Sequence, residues 1–228
     1  MVEAYPHVFE FTVVDGSIVF DFAENKIRLR LVEGEKEFPM PVNLHNFCVV
    51  IGGIIYGTNV ERKQVFFTGK KGERKVIDLR GFFYEKRNGK GESQKYPRAV
   101  LIFIDETTNF KKTYLFNIYN LYALWELFRL QDKVVSVGDL VWERRKGSVL
   151  LQGVFVPFQK AKALFFALDQ YLRTGEIPSV NQEWEYGKIM LWSSKKRLDF
   201  FRRSGEALIP SGVIELNQDT ALRIMSVL

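Results

Sequence analysis

The chain has 228 residues, of which 46% are hydrophobic and 14% aromatic, including 20 phenylalanines. This composition excludes an intrinsically disordered protein and predicts one large globular domain or two small ones. The single cysteine, Cys48, excludes an intrachain disulfide framework and a cysteine-rich zinc site, and the net charge of +6 favours an acidic partner.

Four short segments of alternating hydrophobicity open the chain and predict antiparallel strands. They cover residues 7–14, 17–22, 26–32 and 35–41. The dipeptides Asp15-Gly16 and Glu24-Asn25 are typical of the tight turns that join such strands. A helix is predicted to follow, from Asn43, a favourable N-cap residue, to a stop at Gly57.

The second cycle contains a segment in which cationic, aliphatic and aromatic side chains interleave. Strands are predicted at 64–68, 74–86, 96–105 and 111–116, before a helix at 117–130. In the second of these strands, alternation predicts one face made of Arg74, Val76, Asp78, Arg80, Phe82 and Tyr84. The opposite face then carries Lys75, Ile77, Leu79, Gly81 and Phe83. Arginines beside aromatic rings suit single-stranded nucleic acid, and an amphipathic strand with a solvated polar face fits the same pattern.

The third cycle is predicted to be shorter, with strands at 133–145 and 148–156 and a helix at 158–173. The fourth has predicted strands at 184–193, 196–202, 207–209 and 213–216, and Asn217 is predicted to cap a helix running to Leu228. Strand alternation at 184–193 predicts that Trp184, Tyr186, Lys188 and Trp192 share one face.

Three of these four cycles fit a unit of four strands followed by one helix. Repetition of that unit predicts an α+β fold of tandem units that pair to share cores. Residues 1–131 are predicted to hold the first pair of units and residues 132–228 the second, with one continuous domain as the alternative. Positive charge concentrates in the second cycle, because residues 61–131 carry 15 Lys/Arg against 8 Asp/Glu, whereas residues 1–60 carry 4 against 8.

A local motif in the second cycle resembles a known group of proteins. Lys71-Gly72 precedes the run from Val76 to Phe83, and Pro97 precedes an aliphatic strand. This motif, together with the repeated unit of strands and one helix, resembles the single-stranded-DNA-binding proteins of the positive-cofactor-four, Whirly and PUR group. The resemblance implies a concave sheet that grips single strands in a dimer or tandem repeat, with Arg80 as a phosphate or base contact and Phe83 as a stacking residue. Alternation instead favours Phe82 and Tyr84 as the stacking rings.

Further candidate contacts with nucleic acid are basic residues near strand ends and turns, together with the tryptophan face of the fourth cycle. The complete predicted set is Lys70, Lys71, Arg74, Arg80, Phe82, Phe83, Tyr84, Lys86, Arg87, Arg144, Arg145, Lys146, Trp184, Lys188 and Trp192. Each basic cluster alone is also what a solvated turn contains.

Templates for catalysis and metal binding are missing from the sequence. The two histidines, His7 and His45, lack metal-ligand spacing, and no glycine-rich phosphate loop precedes a helix. The carboxylates Asp78, Asp105, Glu106 and Asp139 could form a two-metal nuclease site only if the fold gathered them. We therefore expect a protein that is not an enzyme, without cofactor or metal.

The N-terminal residues lack the pattern of a signal peptide, and no segment reaches the length of a membrane span, so we expect a cytoplasmic protein. Abundant Lys and Glu with few His and Cys favour a thermophilic source. The predicted function is binding of single-stranded DNA or RNA with low sequence specificity, with a homodimer or higher oligomer as the expected form of any assembly. The alternatives are a protein-interaction or assembly module and a subunit of a nucleic-acid-processing complex.

Overall fold

A computed structural model describes residues 7–58, 62–131, 133–137, 140–145 and 148–228, with the backbone alone described at 62–63, 133–137 and 140–145. The described residues form sixteen strands and four helices, arranged as four repeats of four strands followed by one helix. Each repeat forms its own antiparallel sheet, in which the strands lie in sequence order. The predicted α+β class is therefore confirmed.

The first repeat comprises β1 (Val8–Val13), β2 (Gly16–Asp21), β3 (Lys26–Leu31), β4 (Gly34–Pro39) and α1 (Leu44–Tyr56). The second comprises β5 (Arg62–Thr68), β6 (Arg74–Arg87), β7 (Ser93–Asp105), β8 (Phe110–Phe116) and α2 (Ile118–Arg129). The third comprises β9 (Lys133–Val137), β10 (Leu140–Arg145), β11 (Ser148–Leu151), β12 (Val154–Pro157) and α3 (Phe158–Thr174). The fourth comprises β13 (Val180–Trp184), β14 (Gly187–Trp192), β15 (Arg197–Ser204), β16 (Ala207–Glu215) and α4 (Gln218–Met225).

The third repeat differs from the prediction, because each of its two predicted strands is a hairpin. The predicted strand at 133–145 contains β9 and β10, and that at 148–156 contains β11 and β12. A turn at Gln152 and Gly153, with φ of 53° and 72°, reverses the chain within the second hairpin. Glutamine rarely adopts a positive φ, so the local sequence gave a weak turn signal.

The fourth repeat has the predicted number of strands with a different division. The predicted strand at 184–193 crosses the turn at Glu185-Tyr186, and all of β13 except Trp184 precedes the first strand predicted in this repeat. Strand β16 is continuous where two strands were predicted, and its pairing with β15 shifts register between Phe200 and Phe201. The bulge accommodates Pro210 in an edge strand, where a missing backbone donor is tolerated.

The described chain groups into two compact units, one ending at Phe128 and the other spanning Arg129–Leu228. The predicted boundary lies three residues further on, at 131/132. In the first unit, α1 follows the β1–β4 sheet in sequence but contacts β5 and β7 of the next sheet. Helix α2 makes the reciprocal contact, because Phe128 packs on Phe20 of β2 with ring centroids 5.6 Å apart. The two sheets of this unit thus exchange their helices.

Helix α1 begins and ends where the sequence predicted. The Asn43 side chain accepts a hydrogen bond from the Asn46 backbone N–H, and Gly57 adopts the left-handed conformation with φ of 68°. Close packing of α1 on β6 depends on Gly81, where an added Cβ would lie 2.5 Å from Ile54 Cγ1. The missing side chain at Gly81 therefore lets the helix approach the sheet.

In the second unit, α3 packs on β11, β12 and β13 and also on α4. Its core is mainly aliphatic, with fully buried side chains that include Leu164, Leu168, Leu198 and Leu222, beside the buried ring of Phe200. Asn217 caps α4 as predicted, in a reciprocal capping box with Thr220, and the helix ends at Met225 rather than Leu228.

A buried carboxylate in the first sheet predicts an acid-sensitive fold. A hydrogen bond from the Glu24 backbone N–H and, to a smaller extent, the Arg28 guanidinium hold the pKa of Asp21 below its ordinary value. A lowered native pKa stabilises the fold above the unfolded pKa near about 4, and this contribution is lost as the pH falls through the native value. Asp21→Asn is therefore expected to flatten the fall in unfolding free energy below about pH 4 in urea titrations. Parallel pH curves for the variant and wild type would contradict this assignment.

Candidate nucleic-acid interface

The second sheet carries an extension formed by its two longest strands. Strand β5 pairs with β6 as far as Arg80, and β8 pairs with β7 as far as Ala99. Beyond these points β6 and β7 continue as an antiparallel pair to Arg87 and Ser93. We call this two-stranded extension, residues 82–98, the β-arm.

One face of the β-arm presents three aromatic rings to solvent. Phe82, Tyr84 and Tyr96 are 42%, 45% and 37% exposed. Tyr84 lies directly opposite Tyr96, and Phe82 opposite Arg98, so strand alternation puts all four side chains on the side of the sheet that carries Arg80. We call this side the outer face, because the opposite side contacts α1.

Two of the three rings on the outer face contact neighbouring polar side chains. The Arg98 guanidinium lies 4.5 Å from the centroid of the Tyr84 ring, which is a cation–π contact. The Tyr96 hydroxyl donates to Gln94 Oε1 at 2.7 Å. Both contacts restrict ring motion before any ligand binds, which lowers the entropic cost of stacking.

The β-arm is also basic. Residues 82–98 contain five Lys/Arg and two Asp/Glu, and Lys86 and Arg87 lie next to the tip. Asn88 organises the tip, since its side-chain oxygen accepts from the backbone N–H groups of Lys90 and Glu92, each at 3.0 Å. The arm therefore combines stacking rings with cations suited to phosphate.

At the base of the β-arm, Arg80 is fixed by a buried acid. Its Nε donates to Asp78 Oδ2 at 2.8 Å, and Gln64 donates to the same oxygen at 3.0 Å. Asp78 is 1% exposed, whereas nearly half of the Arg80 side chain reaches solvent. The bond to Asp78 raises the pKa of Arg80. A guanidinium has five N–H donors, so Arg80 can still bind a phosphate while Asp78 orients it.

The first sheet of the same unit provides an internal comparison. Its outer cations are all engaged by nearby carboxylates, in pairs that join Lys26 to Glu37, Arg28 to Asp21 and Glu24, and Arg30 to Glu10 and Glu35. A face whose cations are neutralised locally attracts phosphate weakly. Within this unit, the charge distribution therefore favours the second sheet and its β-arm as the surface for a phosphate ligand.

Three of the predicted basic residues lie at the other end of the sheet. Lys70 and Lys71 are exposed in the turn before β6, and Arg74 pairs with Glu106 at 3.3 Å. Strand β6 has 14 residues, which at about 3.3 Å each is roughly 45 Å. These residues are therefore separated from the predicted cations Lys86 and Arg87 by most of the strand.

Phe83 lies on the opposite face from Phe82 and Tyr84, as alternation predicted. An added Cβ at Gly57 would lie 2.9 Å from the Phe83 ring, so the tip of this side chain lies against the end of α1. Phe83 is nevertheless 44% exposed, so its face of the β-arm also presents an aromatic ring to solvent.

The prediction that one strand face of the fourth repeat carries both Trp184 and Trp192 is wrong. Trp184 ends β13 opposite Gly187, on the buried side of the sheet, because a turn separates it from β14. Lys188 lies 3.8 Å from Glu183, and the Trp192 indole N–H donates to Asp199 at 2.7 Å. These groups form a polar network across the sheet surface.

Part of the predicted set cannot be placed by side chain. Arg144 and Arg145 lie on β10, where only the backbone is described, and Lys146 lies outside the described residues. Asp139 of the considered nuclease set is outside them as well. Asp105 accepts the backbone N–H groups of Thr107 and Thr108 in a turn, whereas Asp78 binds Arg80. Within the described ranges, no group of three or more His, Cys, Asp or Glu side chains is placed to hold a metal ion.

The sequence prediction missed Phe66, Tyr96 and Arg98. Phe66 is 62% exposed and lies opposite Val76, on the outer face. Tyr96 and Arg98 alternate along the predicted strand at 96–105, so each could be assigned to a face. Whether they lie on the same face as Tyr84 depends on the register between β6 and β7, which the sequence of a single strand does not specify.

No protein-family model, curated protein or solved structure matches this chain. Among the helices that the structure describes, none has the length and apolar character required to cross a membrane.

Proposed function

We propose that this protein binds single-stranded nucleic acid, DNA or RNA, on the outer face of the β5–β8 sheet and its β-arm. The observation that carries the proposal is the set of three exposed rings, Phe82, Tyr84 and Tyr96, beside the cations of the arm. Rings of this kind stack on any base, and cations follow the phosphates without reading sequence. The proposed role is therefore non-enzymatic binding with low sequence specificity.

The fold supports a relationship to the Whirly and PUR type of architecture, which we propose as the finer fold class. The supporting features are the repeated unit of four strands and one helix and the exchange of α1 and α2 between paired sheets. In such a unit the helices cover the inner faces of both sheets, which leaves the outer faces available for ligands.

The path of the strand follows from the positions of the cations. Lys70 and Lys71 lie at one end of the sheet, Lys86 and Arg87 at the other, and the exposed rings and Arg80 lie between them. A single strand lying along β6 would meet cations at both ends and rings in the middle. In a duplex the bases stack on each other and their faces are not available to protein rings, so stacking favours the unpaired form.

The proposal predicts preferential binding of single strands that weakens with salt. Fluorescence anisotropy with oligonucleotides of about 20 nucleotides, single-stranded and duplex, measures both properties. With about four phosphate contacts, affinity for the single strand is expected to fall roughly 50-fold between about 50 and 200 mM salt. The duplex is expected to bind more weakly at every salt concentration.

The same titration separates this function from an assembly module. An assembly module would use the exposed rings as an interface between copies, so sedimentation would show a stable oligomer and both oligonucleotides would give weak signals. That combination of results would overturn the proposal.

A further inference from the structure

Phe66 is an exposed ring on the outer face that lies outside the β-arm. It is 62% exposed on β5, an edge strand of the second sheet, and lies directly opposite Val76 of β6. The register places Phe66, Val76 and Ile104 in one row across the outer face. Val76 is buried and Ile104 is half-buried, so the neighbours of the ring in this row are apolar. An exposed ring in such surroundings can stack on a base.

Exposed cations lie around this part of the sheet. Lys70 is exposed in the turn between β5 and β6, and Lys111 is exposed at the end of the row that contains Phe66. Arg74 lies on the same face and pairs with Glu106, yet 62% of its side chain reaches solvent. Positive charge beside an exposed ring favours the phosphates of a single strand over an uncharged partner.

Phe66 and the β-arm lie at two separate positions along β6. Val76, opposite Phe66, and Phe82 are six residues apart on this strand, which is roughly 20 Å at about 3.3 Å per residue. Arg80 lies between them on the same face, and nearly half of its side chain reaches solvent. A single strand that runs along β6 would therefore meet the rings of the arm, then the Arg80 guanidinium and then Phe66.

We propose that Phe66 is a second stacking site for the single strand held by the β-arm, an inference that rests on the proposed function. One ligand then occupies two ring positions roughly 20 Å apart along β6. The ligand must be long enough to reach from Phe82 to Phe66 before it binds with full affinity. A shorter strand occupies one position at a time and loses the advantage of a second contact within the same molecule.

Phe66→Ala is expected to bind a single strand of about 16 nucleotides at least about 5-fold more weakly, because one stacking contact is lost. Its salt dependence is expected to be unchanged, since the ring carries no charge. Phe66→Tyr keeps a ring and is expected to bind like wild type, and a loss as large as that of Phe66→Ala would contradict stacking.

The matched control is Phe155→Ala, which removes an exposed phenylalanine from β12, an edge strand of the second unit. This variant is expected to bind like wild type, and circular dichroism verifies the fold of every variant. A loss in Phe155→Ala equal to that in Phe66→Ala would overturn the assignment of Phe66.

The length of the oligonucleotide separates the second site from the β-arm. In fluorescence anisotropy with oligothymidylates of about 4 to 16 nucleotides, Phe66→Ala is expected to lose affinity only for strands that span both positions. The variant without the three arm rings is expected to bind more weakly at every length. Equal fold-losses in Phe66→Ala at every length would overturn the claim that one strand spans both positions.

Failure of the second site is distinguishable from failure of the proposed function. If wild type binds the long strand and Phe66→Ala binds it equally well, the second site is overturned and the function stands. If wild type binds no single strand of any length, both proposals are overturned.

Discussion

The triple variant Phe82→Ala, Tyr84→Ala and Tyr96→Ala is expected to lose at least about 100-fold in affinity for single-stranded nucleic acid. Each ring that stacks on a base contributes about 1–3 kcal/mol, and about 1.4 kcal/mol corresponds to a tenfold change in affinity. Loss of two stacking rings is enough to reach 100-fold at the lower part of this range. Fluorescence anisotropy at low and high salt measures the change.

The β-arm allows this test without disturbing the core. All three rings are exposed and lie beyond the region where β5 and β8 flank the central strands. Arg80 is a less suitable target, because Arg80→Ala would leave Asp78 buried at 1% exposure without the guanidinium that binds it. Removing one member of a buried charge pair destabilises the fold, which would confuse a binding measurement.

A matched control removes three exposed aromatic rings that lie outside the β-arm. Tyr119→Ala, Phe166→Ala and Tyr186→Ala change exposed positions on α2, on α3 and in the turn before β14. This control is expected to bind within about two-fold of wild type. Equal losses in the two triple variants, or no loss in the β-arm variant, would show that the outer face of the β-arm is not the binding surface.

The sequence predicts features that depend on local geometry. Asn43, Gly57 and Asn217 were assigned to helix ends from residue type alone, and the structure confirms each of them. The caps use hydrogen bonds within a few residues, so their chemistry is contained in the local sequence. The predicted inward direction of Ile77 and Leu79 in β6 is confirmed for the same reason, but Val76 and Asp78 on the opposite face are buried as well, which alternation did not predict.

Features that depend on distant pairing were not predicted. The cluster of Tyr84, Tyr96 and Arg98 requires the register of two strands joined by a hairpin tip. To predict the bond from Arg80 to Asp78, one must know that Asp78, on a face of largely polar residues, is buried. Both depend on tertiary neighbours, which alternation along one strand does not specify.

The charge profile along the chain locates a basic region but gives an incomplete picture of the surface. Residues 61–131 hold the excess of Lys and Arg, and the β-arm lies within them. Neutralisation of Arg28 and Arg30 on the first sheet became visible only with the fold, because their partners come from three different strands and a turn. Net charge by segment therefore locates a basic region but does not tell which cations face a ligand.

Phe128→Ala is expected to destabilise the first unit by about 3–5 kcal/mol, the range for truncating a buried aromatic side chain. Phe128 is fully buried, and its ring lies within 5.6 Å of Phe20, within 5.4 Å of Phe22 and within 5.0 Å of Phe47. These contacts join α2 to the first sheet and to α1. The cavity left by the ring would loosen three elements together, so the variant tests the exchange of helices between the sheets.

Hydrogen exchange followed by mass spectrometry can localise this effect within the chain. Peptides from β2 and α1 are expected to lose protection in Phe128→Ala, because their side chains contact the missing ring. Peptides from β14 and β15, which belong to the other compact unit, are expected to keep theirs. Tyr119→Ala on the same helix removes an exposed ring and is expected to leave protection unchanged. If β2 kept its protection in Phe128→Ala, packing of α2 on the first sheet would not contribute to the stability of this unit, and the helix exchange would lose its energetic basis.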